Sequence, residues 1–322
     1  MKKFATRLAF LIIIAGLAAG PADAAQLLIP GGQVIGMELQ DNTVCVVSFD
    51  ETLGTAAKAA GLKQGDRILR IDSTQVRCLE DVKTALAKSD GDVEISVQRG
   101  EKTKVLKLCP TATATGPKLG VSLRQGTSGL GTVTYYSPDS DSFAALGHGV
   151  NSRDGKLLRL TQGRVYPARI ESVKVGKTGA PGQLMGTVTQ AAPVGAIRKN
   201  TDQGVFGSAK FQSKTEPLPV AEKDEVKTGA ATIRSTVAGD TLREYSVEIL
   251  KIYPNSASKT RNMLVKVTDP ALLTATGGIV QGMSGSPIIQ DGKLVGAVTH
   301  VLVNDPTTGY GIFIENMLDA AA

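Results

Sequence analysis

The stretch Gly61-Leu62-Lys63-Gln64-Gly65-Asp66-Arg67-Ile68-Leu69-Arg70-Ile71-Asp72 reads as a turn that feeds directly into a strand. Working outward, Thr55–Gly61 predicts a short helix stopped by its glycine, and Val44–Val47 a strand before it. On the other side, Glu80–Lys88 places Val82, Ala85 and Leu86 on one helical face. Val93–Val97 alternates as a strand, and Gly100-Glu101 turns into Val105–Leu108. Residues 27–110 therefore read as a compact α+β module. The small-residue, proline-bounded stretch Thr111–Pro117 reads as a linker.

Beyond residue 118 the text changes. Short β-like runs, at 131–136, 164–172, 186–189, 231–234, 244–252, 263–268, 288–289, 294–303 and 310–314, are punctuated by glycine and proline. Long helical patterns are absent. This spacing predicts a β-barrel or a pair of barrels over 118–322, so that the chain as a whole is mainly β. Residues 212–227 are polar, carry two prolines, and read as an exposed excursion.

Lys2, Lys3 and Arg7 precede the apolar run Leu8–Gly20 and the small-residue pattern Ala22-Asp23-Ala24. That is the layout of an export signal over residues 1–24, too short for the ~20 residues of a full membrane span. It places the mature protein outside the cytoplasmic membrane, with retention of the leader as an anchor the alternative. The net charge of +6 includes no concentrated basic block, and aromatics make up only 4% of the chain. Both argue against a nucleic-acid partner. Cys45, Cys78 and Cys109 allow at most one intramolecular bridge, and as a default are small buried apolar residues. No metal-ligand cluster, P-loop or dinucleotide fingerprint is present, so neither metal nor organic cofactor is expected.

Gly282-Met283-Ser284-Gly285-Ser286-Pro287 sets a serine between glycines on a turn bounded by Ile279-Val280 and Ile288-Ile289. A serine on such a turn can be exposed while nearby N–H groups converge as an oxyanion hole. A plain hairpin turn would read the same way, and what adds weight is Gly147-His148-Gly149 in a chain with two histidines. Serine needs a base, and histidine is poised to act as one near neutral pH. The second histidine, His300, lies in a β-run and reads as a packed residue close to the pocket. A carboxylate should orient the imidazole. Asp269 ends a strand before a proline and equally fits a turn initiator, Asp240 resembles a hairpin residue, and Asp202 and Asp224 fall in polar loops.

Two resemblances sharpen these readings. Residues 61–72, with Leu28–Met37, resemble a PDZ domain. That implies a carboxylate-binding loop at Pro30, Gly31, Gly32, Val34 and Ile35, with an adjoining strand that takes a peptide or protein C-terminus. From about Pro117 onward the chain resembles the stage IV sporulation protein B peptidase family of PDZ-containing serine endopeptidases. The phrases that carry this are PKLGVSL, GLGTVTYYSPDSDSFAALGHGV, ARIESVKVGKTGAPGQLMG and GGIVQGMSGSPIIQDGKLVGAVTHVLVNDPTTGYGIFIENML. The resemblance implies a trypsin-like double β-barrel with His148 as general base, Asp269 as acid partner and Ser284 as nucleophile. The N–H groups of Gly282 and Ser284 would form the oxyanion hole. It further implies limited cleavage of the extracytoplasmic part of a membrane-associated regulator in sporulation, gated by the PDZ module. A non-catalytic PDZ adaptor and a general extracytoplasmic quality-control protease are the competing readings. One departure stands out: trypsin-like chains read GDSGGP where this one has Met283 and Ser286, so activation by an aspartate before the serine is not available.

Overall fold

The computed structural model describes residues 26–152, 154–210 and 215–322; the leader expected over 1–24 lies outside them. Strand β1 (Leu27–Pro30) leads into β2 (Val34–Phe49), followed by α1 (Thr55–Ala59), β3 (Arg67–Ile71), β4 (Thr74–Gln75) and α2 (Leu79–Lys88). The hairpin β5 (Val93–Arg99) and β6 (Lys102–Leu108) precedes β7 (Val121–Tyr136). At 16 residues each, β2 and β7 are far longer than the usual ~5–6. They pair antiparallel, 34–39 with 127–132 and 44–49 with 121–125, with a small register shift between Val46 and Ser48 and the main bulge between Leu39 and Val44. That bulge divides both strands into two working halves.

The outer halves belong to the PDZ unit. Val44–Cys45 of β2 pairs with β3, which pairs with β5, which pairs with β6. Their core joins Val44, Val46, Ile68, Ile95 and Val97 to Val82, Ala85 and Leu86 of α2, the face legible from sequence. Leu119 and Leu123, from beyond the expected linker, complete it. The opening stretch is secured by Asp66, whose side chain is fully buried. Arg99 donates to both its carboxylate oxygens at 2.6 and 2.7 Å, and the Lys63 N–H adds a third bond at 2.8 Å. Burial alone would raise the Asp66 pKa, but these donors hold it below the usual carboxylate value.

The inner halves belong to the first barrel. After β8 (Ser142–Ala145), β9 (Gln162–Lys174) and β10 (Gln183–Val188) come β11 (Gly195–Thr201) and β12 (Gly204–Ala209). The pairings β2–β7, β7–β8, β8–β12, β12–β11, β11–β9 and β9–β2 close a ring. Ile35, Leu39, Val133, Phe143, Val165 and Val205 fill it. The PDZ unit is thus inserted between two strands of the first barrel, and the boundary differs from the expected division at 110 and 118. Strand pairing draws residues 27–40 into the barrel and 121–125 into the PDZ unit.

This placement corrects the expected carboxylate-binding loop. Gly31 and Gly32 donate their N–H groups to the carbonyls of Thr134 and Val133 at 2.9 and 2.8 Å. Val34 pairs with Thr132, and Ile35 is 1% exposed inside the barrel. With its donors spent on β7, the segment Pro30–Ile35 cannot cradle a carboxylate.

After β13 (Leu218–Pro219), the strands β14 (Gly229–Thr236), β15 (Leu242–Ile252) and β16 (Met263–Val267) lead to α3 (Pro270–Thr276). Then follow β17 (Pro287–Gln290), β18 (Lys293–Leu302), β19 (Asp305–Phe313) and the C-terminal α4 (Ile314–Ala321). The six strands β14-β15-β16-β19-β18-β17 form a closed second barrel. Of the excursion expected over 212–227, the described residues 215–227 are only partly exposed, since Ala221 and Val226 join the core of this barrel. Between the barrels, Tyr135, Ala144 and Phe206 of the first meet Leu294, Ala297 and Ile312 of the second and Met317 of α4. Each large apolar side chain buried there contributes about 1.5–3 kcal/mol.

None of the three cysteines is bridged, and against the expectation that all three are buried, Cys45 and Cys78 are half-buried and Cys109 is exposed. The insertion makes a direct prediction. Replacing residues 41–125 by an Asn-Gly hairpin turn should preserve the Leu39–Thr127 pairing. The shortened chain should still melt in one cooperative transition by near-ultraviolet circular dichroism. Loss of that transition would contradict the two-half reading of β2 and β7.

Candidate active site

The turn after β8 carries His148. Leu146 and Gly147 both adopt left-handed backbone conformations, with φ of 72° and 67°. A Cβ on Gly147 would lie 2.9 Å from side-chain atoms of Thr299 and Ile312 of the second barrel. Glycine is what allows the histidine turn to press against that barrel.

The serine loop follows α3 and enters β17. Its shape is set by Met283 N–H to Val280 O at 3.1 Å, Ser286 N–H to Met283 O at 2.9 Å and Gly285 N–H to Val298 O at 2.8 Å. Met283, standing where trypsin-like chains have aspartate, is fully buried in the second-barrel core. Ser286 is equally buried and donates to the Ser235 hydroxyl at 3.1 Å. Gly285, at φ 97°, lies so close to β7 that a Cβ would fall 2.1 Å from the Thr132 carbonyl oxygen.

One residue ties the two loops together. Thr132, on β7 and fully buried, donates its N–H to Ser284 O at 3.2 Å and its hydroxyl to Gly282 O at 2.7 Å. Its own carbonyl accepts the Leu146 N–H at 3.2 Å. His148 and Ser284 consequently line one cleft of about 490 Å³, together with Gly282, Thr299 and His300. The Ser284 hydroxyl donates to Thr299 O at 2.7 Å. Among the described residues, the N–H groups of Gly282 and Ser284 have no protein acceptor. Two backbone donors beside one hydroxyl are the elements of an oxyanion hole.

His148 Nδ1 lies 2.9 Å from Gly149 O. That contact favours the tautomer with its proton on Nδ1, leaving Nε2 as the acceptor a general base requires. Burial lowers the His148 pKa below the usual histidine value, which keeps the ring neutral. His300 packs beside it with ring centroids 5.1 Å apart and a 40° tilt. Burial, and secondarily the neighbouring His148 and Arg261, push the His300 pKa down to about 4. Its Nδ1 is buried without a hydrogen-bond partner among the described residues.

Asp269 is not brought to this cleft. It is the N-cap of α3, its Oδ1 accepting from Ala271 and Leu272 N–H at 2.9 and 3.0 Å and its Oδ2 from Ser246 N–H at 3.4 Å. Spacing suggested a triad member; the proline at the first helical position and the free N–H groups of the first turn account for the aspartate instead. Sequence reasoning missed Thr132 altogether. Its only signal was a threonine within the apolar run 131–136, and its partners lie about 150 positions away. Among the described residues no group of three or more His, Cys, Asp and Glu side chains is disposed to hold a metal ion.

Residues 116–318 match the SpoIVB peptidase S55 model, and residues 33–108 match the PDZ domain model. The chain belongs to the SpoIVB peptidase S55 family. It carries a PDZ domain beside its S55 peptidase region. A curated relative, Atu1380 of Agrobacterium fabrum, which is named for a zinc metalloprotease, is 34% identical over 79 residues, or 24% of this chain. The chain spans about a fifth of that relative's length, 21%. Among solved structures, the active form of the Rv3671c protease from M. tuberculosis aligns at TM-score 0.37 and 18% identity, covering 60% of this chain and 72% of that one. Its inactive form aligns at TM-score 0.35 and 16% identity, covering 59% and 81%.

Two substitutions test the geometry. Thr132→Val removes the bond to Gly282 O and should cost about 1–2 kcal/mol in denaturant unfolding, with slower fluorophosphonate labelling of Ser284. Asp269→Ala should cost about 1 kcal/mol through the lost cap while leaving labelling intact. Abolished labelling in a folded Asp269→Ala chain would restore Asp269 to the site.

Proposed function

We propose that this S55 peptidase makes limited cuts in the extracytoplasmic part of a membrane-associated regulatory protein, with Ser284 as nucleophile and His148 as general base. The observation that carries the reading is a hydroxyl, a neutral imidazole and two unpaired N–H groups around a single cleft. In the reaction the Ser284 hydroxyl exchanges Thr299 O for His148 Nε2 and attacks the scissile carbonyl. The imidazole takes the proton and passes it to the leaving amine. The Gly282 and Ser284 N–H groups receive the oxyanion, each contributing about 3 kcal/mol of transition-state stabilisation.

A polypeptide substrate fits the surroundings. A second groove of about 810 Å³ adjoins the first at Gly129, Leu130 and Gly282. It runs past Leu184 and Met185 of β10 to Arg124 and Gln125 at the PDZ end of β7. An extended segment lying there would touch the PDZ unit and the serine loop together, which supports a gating role for the PDZ domain. The leader at 1–24 supports export, and the family resemblance supports a place in sporulation signalling.

Ser284→Ala and His148→Ala should each abolish peptide cleavage and fluorophosphonate labelling, with unchanged melting temperatures. Since only neutral His148 can act as base and burial lowers its pKa, the acid limb of kcat/KM should fall below the usual histidine value of 6.5. Retained cleavage in Ser284→Ala, or an intact biological role without cleavage, would favour a binding adaptor instead. Broad degradation of unfolded proteins would point to quality control.

A further inference from the structure

With Asp269 committed to a helix cap, the imidazolium that forms on His148 during catalysis lacks an identified counter-charge. We infer that Asp202 is the positioning carboxylate of His148; this rests on the proposed catalytic roles of Ser284 and His148. His148 also lines a second cleft of about 820 Å³, to which Ser284 does not contribute. Asp202 and Gln203 line it from the β11–β12 turn, Ser258, Lys259 and Thr260 from the segment before β16, and His300 from β18. Across both clefts that His148 faces, Asp202 is the one carboxylate among the described lining residues.

The turn that carries it is fastened to the histidine loop. Asn200 accepts the Val150 N–H at 2.9 Å and donates to Val150 O at 2.8 Å, pinning the chain two residues beyond His148. Gly149 lies against the Thr201 carbonyl so closely that a Cβ would stand 2.7 Å from its oxygen. The residues flanking Asp202 and His148 are therefore in contact. The Asp202 side chain is exposed and accepts no hydrogen bond among the described residues, so it is free to turn toward the ring.

The other groups around His148 do less. His300 touches His148, but an uncharged imidazole cannot neutralise an imidazolium as a carboxylate does. Lys259 has the wrong sign. Gly149 O already fixes the tautomer, yet it is a neutral acceptor. Asp202 replacing Gly149 O at Nδ1 would keep the tautomer and add the missing charge.

The test is the second-order rate of Ser284 labelling by a fluorophosphonate, with peptide cleavage alongside, measured from pH 4 to 9 on the full chain. Wild type, Asp202→Asn, Asp202→Glu and His300→Asn are compared. Asp202→Asn is expected to slow both readouts by about 10²–10⁴-fold near neutral pH and to move the acid limb to lower pH, because the imidazolium loses its stabilising charge. Asp202→Glu is expected to recover part of the rate and the original limb. A rate within about threefold of wild type, an unmoved limb, or no recovery by glutamate would overturn the inference. So would loss of the melting transition in Asp202→Asn, since an exposed side chain acting only on His148 should not carry the fold. A limb displaced by His300→Asn and not by Asp202→Asn would assign the role to His300. Failure of the wild-type chain to label at any pH would overturn the catalytic reading itself, and this inference with it.

Discussion

Thr132 is where two distant pieces of sequence become one site. Its three polar groups hold the serine loop by Gly282 O and Ser284 O and the histidine turn by Leu146 N–H, all in a fully buried position. Buried polar groups cost free energy unless satisfied, so this node tolerates little rearrangement. The glycines around it follow from the same crowding. Gly285 is pressed onto the Thr132 carbonyl, and Gly147 onto β18 and β19. The barrels give bulk stability, but the mutual position of hydroxyl and imidazole depends on this junction.

The electrostatics point the same way. Both imidazoles are desolvated, and His148 further disfavours charge on His300. The site therefore rests with neutral rings and a serine hydroxyl satisfied by Thr299 O. Leaving that carbonyl requires only rotation about the serine side chain, a small conformational step. Because β7 runs unbroken from the PDZ sheet through Thr132 to Tyr136, a load on its outer half bears on the strand that anchors the catalytic loops. That continuity is the physical route by which the proposed gating by the PDZ unit would act.

Local patterns made much of this legible in the sequence. The helical face at Val82, Ala85 and Leu86 and the alternation at Val93–Val97 are short-range signals, and both appear in the PDZ core. Ser284 and His148 announced themselves by glycine flanks that the structure uses for close approach. The failures were non-local. Leu28–Met37 matches a peptide-binding loop in wording, but its N–H groups pair with a strand about 100 residues later. Asp269 has a plausible triad spacing, yet Pro270 and an open first helical turn claim its carboxylate. Strands β8, β11 and β12 escaped notice because alanine- and glycine-rich runs such as Ser142–Ala145 carry weak apolar periodicity. The Thr132 junction has no sequence signature, being a product of how the barrels meet.

The most direct measurement is a crystal structure of the full chain after reaction with a fluorophosphonate. The account predicts a covalent bond at Ser284 Oγ, a phosphonyl oxygen within hydrogen-bond distance of the Gly282 and Ser284 N–H groups, and His148 Nε2 facing the adduct. Thr132 should keep its bonds to both loops. An adduct on another residue, or one on Ser284 with its oxygen turned away from those two N–H groups and His148 on the far side of the cleft, would contradict it.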